Sequence, residues 1–118
     1  MKKVYIAGKL NDHAVGYIKN LHIMIKTANM IRKLGFSVFV PCLDVLCGVI
    51  DGEMEYEDYL LNNIPWMEQA DAIFVLPNWE GSKGVKYELE CAAKCNIPIY
   101  YSVDDLINER ISDENSLD

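Results

Sequence analysis

Ala72-Ile73-Phe74-Val75-Leu76 is a run of five apolar residues, stopped by Pro77-Asn78. A short continuous apolar run between turn residues fits a parallel strand covered on both faces. The polar, glycine-containing loop Pro77 to Lys83 follows it, and then a helix spanning roughly residues 84–95. Strand, loop and helix in that order are half of a βαβ unit, so the rest of the chain can be read for the same alternation.

The alternation holds in both directions. Val4, Tyr5, Ile6 and Ala7 form a first short strand, ended by Gly8. Asp12 can cap the helix after it, on which Ala14, Ile18, Leu21, Ile25 and Ala28 recur at three- and four-residue steps. Leu34-Gly35 ends that helix, with Gly35 tolerating a left-handed stop. Phe36, Val38 and Val40 alternate with Ser37 and Phe39 in a second strand, broken by Pro41. Residues 42–53 read as a loop with room for a helical turn, and residues 54–69 as a helix that can kink at Pro65. Asn96-Ile97-Pro98 leads into a fourth strand, Ile99 to Ser102. Asp104 or Asp105 caps a short last helix, and residues 113–118 form an acidic tail expected to fray.

These elements predict one α/β domain over residues 1–112, doubly wound and flavodoxin-like, with a mostly parallel sheet of four or five strands. Ligands of such sheets lie outside the carboxyl ends of the strands. That nominates Gly8 to Asp12, Pro41 to Asp44, and Pro77 to Gly84.

Composition is consistent with this class. The chain has 118 residues, 51% hydrophobic and 25% charged, which suits a single globular domain and excludes disorder, collagen and coiled coil as whole-chain readings. The net charge of −7 is uneven. Residues 103–118 hold six acids against Arg110, a net of −5, which leaves −2 for the remainder. No basic stripe suits nucleic acid. No stretch approaches the roughly 20 apolar residues of a membrane span. With no secretory leader legible after Lys2 and Lys3, a cytoplasmic location with reduced thiols is expected.

The chemistry concentrates on the helix after the third strand. Val85, Leu89 and Ala92 form one apolar stripe, and Glu88 falls inside it. Lys86, Glu90 and Lys94 lie at four-residue steps on another face, where solvent pairs explain them. A carboxylate in an apolar stripe must be paired, protonated or functional. The bland reading of Glu88 is a group accepting backbone hydrogen bonds or meeting an arginine. Gly81-Ser82-Lys83-Gly84 precedes it. Glycines permit close approach of a ligand, and the N–H groups of a helix N-terminus attract anions. Ser82 can cap the helix or donate to a phosphate.

The run Ser82-Lys83-Gly84-Val85-Lys86-Tyr87-Glu88-Leu89 resembles the signature of the nucleoside 2-deoxyribosyltransferases and the 2′-deoxynucleoside 5′-phosphate N-hydrolases. Val4-Tyr5-Ile6-Ala7-Gly8 and the segment Trp66 to Leu76, with Ala70-Asp71 ahead of the strand, are similar to the same group and are similarly spaced. Within it the chain looks most like a small phage and bacterial subgroup. The likeness covers nearly the whole chain except the tail.

The resemblance implies that Glu88 is the nucleophile toward C1′ of a deoxyribose and that Tyr5 holds it. Read from its strand alone, Tyr5 is equally a core aromatic. Serine at position 82, where the transferases of free nucleosides tend to carry an acid, implies a 5′-phosphorylated ligand. Gly8, Lys9, Asn11, Gly81, Ser82 and Gly84 are then the expected substrate-binding residues, although Lys9 is also readable as a plain surface lysine. The implied reaction is cleavage or transfer of the N-glycosidic bond of a deoxynucleoside 5′-monophosphate.

Two departures bear on this. The family's second acid stands eight residues before the Asp that opens the third strand, and counting back from Asp71 gives Asn63. Asparagine cannot protonate a leaving base. Either Asp44 or Asp58 takes that part, or the leaving group needs no acid, or the chain binds a nucleotide without turnover, as a sensor or sequestering protein. The first loop, Gly8-Lys9-Leu10-Asn11-Asp12, also lacks the proline- or glycine-rich form of the family's phosphate loop.

No metal and no cofactor are expected. Cys42 and Cys47 are five apart, and Cys91 and Cys95 are four apart, neither a zinc knuckle. His13 and His22 read as surface groups. Trp66 and Trp79 read as core or lid, and Trp79, in a loop at the edge of the site, could also cover a base. The expected partner is a nucleoside or nucleotide, and the resemblance implies a homo-oligomer with Tyr100 or Tyr101 at a subunit contact.

Overall fold

The computed structural model describes residues 2–10, 14–41, 50 and 56–116. Its elements are β1 (Lys3–Ala7), α1 (Ala14–Lys33), β2 (Ser37–Phe39), α2 (Tyr56–Met67), β3 (Ala72–Val75), a 3₁₀ turn (Trp79–Gly81), α3 (Lys83–Lys94), β4 (Ile99–Tyr100) and α4 (Val103–Ser116). The four strands pair in parallel, in the order β2-β1-β3-β4. This is the expected doubly wound α/β arrangement. The chain leaves β1 toward one edge and β3 toward the other, so the switch point lies between these two strands.

Alternation along β1 divides the core. Val4 and Ile6 face Met24, Ala28 and Ile31 of α1 and Leu106 of α4. Tyr5 and Ala7 face Ile64 and Met67 of α2 and Val85 and Ala92 of α3. All four residues of β3 are buried, so the run that decides the fold is covered on both faces as expected. At the amino ends of the strands, Asp71 braces β1: Lys3 N–H donates to Asp71 Oδ2 at 2.8 Å, and Asp71 N–H donates to the Lys3 carbonyl at 2.8 Å.

Helix ends follow local chemistry. Gly35 takes φ 97° just beyond α1. Asn96 takes φ 58° beyond α3, its N–H bonding Ala93 O at 3.1 Å while Ile97 N–H bonds Ala92 O at 3.0 Å. Those two bonds form a Schellman stop, sealed by packing of Ile97 in the same apolar cluster as Ala92.

Three expectations change. The inward face of α1 is not the stripe through Ile18 and Ile25, which are 67% and 39% exposed; Met24, Ala28 and Ile31 are buried instead. Two overlapping stripes share Leu21 and Ala28, and docking against Val4, Ile6 and Phe36 selects the one rotated toward Met24. The cap of α4 is Ser102, whose Oγ accepts from Asp105 N–H at 3.2 Å, and Asp104 and Asp105 occupy the first turn. The α4 helix runs to Ser116, four residues past Ser112. The Asp12 cap and the loop at residues 42–49 lie outside the described residues.

Candidate functional site

The buried polar and charged side chains among the described residues are Asn63, Ser82 and Glu88. All three belong to elements on the Tyr5 face of the sheet. Glu88 lies in α3 between Val85 and Ala92, both packed in the cluster that contains Tyr5, and is 7% exposed. Lys86, Glu90 and Lys94 are exposed on the other side of that helix. Tyr5 is fully buried, with its ring stacked on Phe39 at 5.5 Å, and Phe39 is stacked in turn on Trp66 at 6.0 Å. Asn63 is buried on α2, which packs against α3, and its Oδ1 accepts from Asn62 Nδ2 at 3.4 Å.

The amino terminus of α3 is built for close approach. Ser82 is its cap: Oγ accepts from Val85 N–H at 3.2 Å, and Ser82 N–H is taken by the Trp79 carbonyl at 2.9 Å. The Lys83 and Gly84 N–H groups open the first turn, where an α-helix offers no intrahelical acceptor. Lys9 reaches this point from the β1–α1 loop. A side chain at Gly81 would begin 3.8 Å from Lys9 Nζ. The Lys9 ammonium group thus lies beside Gly81, two residues ahead of the start of α3, and a cation and a helix amino terminus both favour an anion.

Gly8 has a reason of its own. A Cβ there would lie 2.3 Å from Leu76 Cδ1, so the glycine is required by the packing of β1 against β3.

The other nominated residues divide. Asn11 and Asp44 lie outside the described residues. Asp58 is exposed in the first turn of α2 and does not enter the interior. Trp79 packs beside Tyr101 with ring centroids 5.8 Å apart, and Tyr101 is otherwise half exposed. Tyr87 lies on the exposed side of α3, where the neighbouring Cys91 pushes its phenol above the ordinary value. Among the described residues no group of three or more His, Cys, Asp or Glu can hold a metal ion.

Asn78 is a residue that sequence reasoning missed. Its amide bonds both main-chain groups of Lys9 and the side chain of Asn20. Its place in the loop after β3 was legible; its partners, up to 69 positions away, carry no local signal.

A family model described as "Domain of unknown function (DUF4406)" matches residues 2–101. Among solved structures, the fold resembles that of the 2-deoxyribosyltransferase from the psychrotolerant bacterium Bacillus psychrosaccharolyticus, described as a suitable biocatalyst for the industrial synthesis of antiviral and antitumoral nucleosides. The TM-score is 0.62 at 24% sequence identity, over 82% of this chain and 69% of that one. At this identity the likeness is one of fold. No functionally curated protein matches the sequence.

Proposed function

The chain belongs to the DUF4406 family, and from that premise we propose that it cleaves or transfers the N-glycosidic bond of a deoxynucleoside 5′-monophosphate, with Glu88 as the nucleophile. The observation that carries this reading is the buried carboxylate of Glu88, on the same helix as an anion-receptive amino terminus faced by Lys9. Glu88 lies six positions after Ser82, about 9 Å along the axis at 1.5 Å per residue, which leaves room for a sugar between phosphate and carboxylate. The deoxyribosyltransferase-like fold adds support.

In this reading the phosphate rests against the Lys83 and Gly84 N–H groups, the Ser82 hydroxyl and Lys9. The Ser82 oxygen already accepts from Val85, and its hydrogen remains available as a donor. Glu88 attacks C1′ as the base leaves through an oxocarbenium-like transition state. The glycosyl-enzyme is released to water or to another base, with net retention. Tyr5 orients the carboxylate, its ring held in register by Phe39. Asn63 can hydrogen-bond the base or sugar without protonating it.

That last point sustains a second reading, a nucleotide-binding protein without turnover. One experiment separates the two. The protein is incubated with a panel of deoxynucleoside 5′-monophosphates, and free base is measured alongside Glu88→Ala and Glu88→Gln. Base release by the parent and its loss in both variants is the expected result. Tight binding without release from any substrate establishes the second reading. Release by Glu88→Ala at the parental rate removes Glu88 as nucleophile.

A further inference from the structure

We propose that Asn78 is a positioning residue, which holds Lys9 at the amino terminus of α3 by pairing with the main chain of the β1–α1 loop. This role rests on the phosphate-binding reading above.

The geometry is reciprocal. Asn78 Oδ1 accepts from Lys9 N–H at 3.1 Å, and Asn78 Nδ2 donates to the Lys9 carbonyl at 3.2 Å. The same Nδ2 donates to Asn20 Oδ1 at 3.2 Å, and Asn20 Nδ2 donates to the Leu10 carbonyl at 3.4 Å. The main-chain ladder between β1 and β3 reaches its end with Leu76 N–H bonded to Ala7 O at 2.8 Å. Beyond it the chain turns away into the Trp79–Gly81 turn. The Asn78 amide then serves Lys9 in place of a neighbouring peptide.

Few side chains can do this. A primary amide presents a donor and an acceptor side by side, as a peptide does. Aspartate has the same shape, but its carboxylate can only accept. It could keep the Lys9 N–H bond, while its second oxygen would face the Lys9 carbonyl and Asn20 Oδ1, both acceptors. The two loops of the switch point are thus joined by one amide, and the joint lies at the residue whose ammonium group approaches Gly81. A loop lysine left to itself loses both backbone and side-chain freedom when a ligand orders it. Fixing its backbone beforehand lowers what remains to be ordered.

The test compares the parent with Asn78→Asp, Asn78→Ala and Lys9→Ala. Calorimetry measures affinity for the four 2′-deoxynucleoside 5′-monophosphates and for the matching deoxynucleosides, and NMR follows hydrogen exchange at the Lys9 amide. Both Asn78 variants are expected to bind the monophosphates about tenfold more weakly, with deoxynucleoside affinity unchanged, and Asn78→Ala, which loses the bond from the Lys9 N–H, to exchange faster at Lys9. Asn78→Ala combined with Lys9→Ala should be no weaker than Lys9→Ala alone, since both act through one ammonium group. If the Asn78 variants do not fold, Asn20→Ala, which removes only the outer bonds, should give a smaller loss confined to the monophosphates.

Equal losses for phosphorylated and unphosphorylated ligands overturn the proposal. So does an unchanged Asn78→Asp where Lys9→Ala is impaired, and in that case the phosphate reading survives. If Lys9→Ala binds monophosphates like the parent, or the parent binds none, the phosphate reading fails and the positioning role fails with it.

Discussion

Replacing Gly8 by alanine tests whether β1 and β3 approach as closely as the structure requires. The added Cβ would lie 2.3 Å from Leu76 Cδ1, 2.9 Å from Cγ and 3.0 Å from Cβ. Carbon atoms pack best at about 3.5–4.0 Å. A new rotamer moves Cδ1 of Leu76 but not its Cβ, so side-chain rotation cannot relieve the whole overlap. Retreat of the backbone is opposed by the Leu76 N–H bond to Ala7 O and by the nearly complete burial of Leu76. Overpacking of this kind costs about 1–3 kcal/mol. For a chain of this size that is a fall in Tm of roughly 4–12 °C, read by thermal circular dichroism. Leu76→Ala alone should also destabilise, by about 2–5 kcal/mol through its cavity. In the double variant the new methyl group enters that cavity, so the combined loss should fall short of the sum by about 1–2 kcal/mol. A Gly8→Ala protein melting within about 1 °C of the parent, or a strictly additive double variant, refutes the packing explanation. If that stable protein also loses monophosphate binding, Gly8 serves the ligand instead.

Other positions give sharp outcomes. Ser82→Ala should lose about 1 kcal/mol from the α3 cap; Ser82→Asp should keep the cap and the melting temperature but weaken binding of monophosphates, because it places a negative charge where the phosphate is proposed to rest. Gly35→Ala should cost roughly 1–2 kcal/mol by forcing a Cβ into the left-handed region, measured by urea denaturation. Burial, and then the Glu109 carboxylate, hold the Tyr100 phenol above its ordinary value of 10.0. A raised pKa means that the folded protein favours the neutral phenol. The stability it contributes is therefore complete below about pH 10 and lost as pH rises through the folded value. Tyr100→Phe should flatten the alkaline limb of the Tm–pH curve, and an unchanged limb would remove Tyr100 as its cause.

Much of the fold was legible because it depends on short-range patterns. The apolar run at 72–76 announced a doubly covered strand, Gly35 announced the end of α1, and the stripe through Val85, Glu88 and Ala92 announced a buried carboxylate. Where two patterns overlapped, the chain alone was ambiguous. The α1 helix offers one apolar stripe through Ile18 and Ile25 and another through Met24 and Ile31, and only contact with the sheet chose between them. Neighbouring hydroxyl and carboxylate groups gave a similar ambiguity at α4, where Ser102 caps the helix and the following aspartates do not.

The candidate site divides along the same line. Spacing put Glu88 on an inward face and Ser82 at a helix start, because both facts belong to one helix and its periodicity. Asn78 against Lys9, Lys9 against Gly81, and Leu76 against Gly8 were decided by tertiary structure. Those pairs meet because the order β2-β1-β3-β4 sets β1 beside β3 and brings their following loops to one place. Periodicity reports which face of its own element a residue occupies; which distant loop it meets depends on strand order.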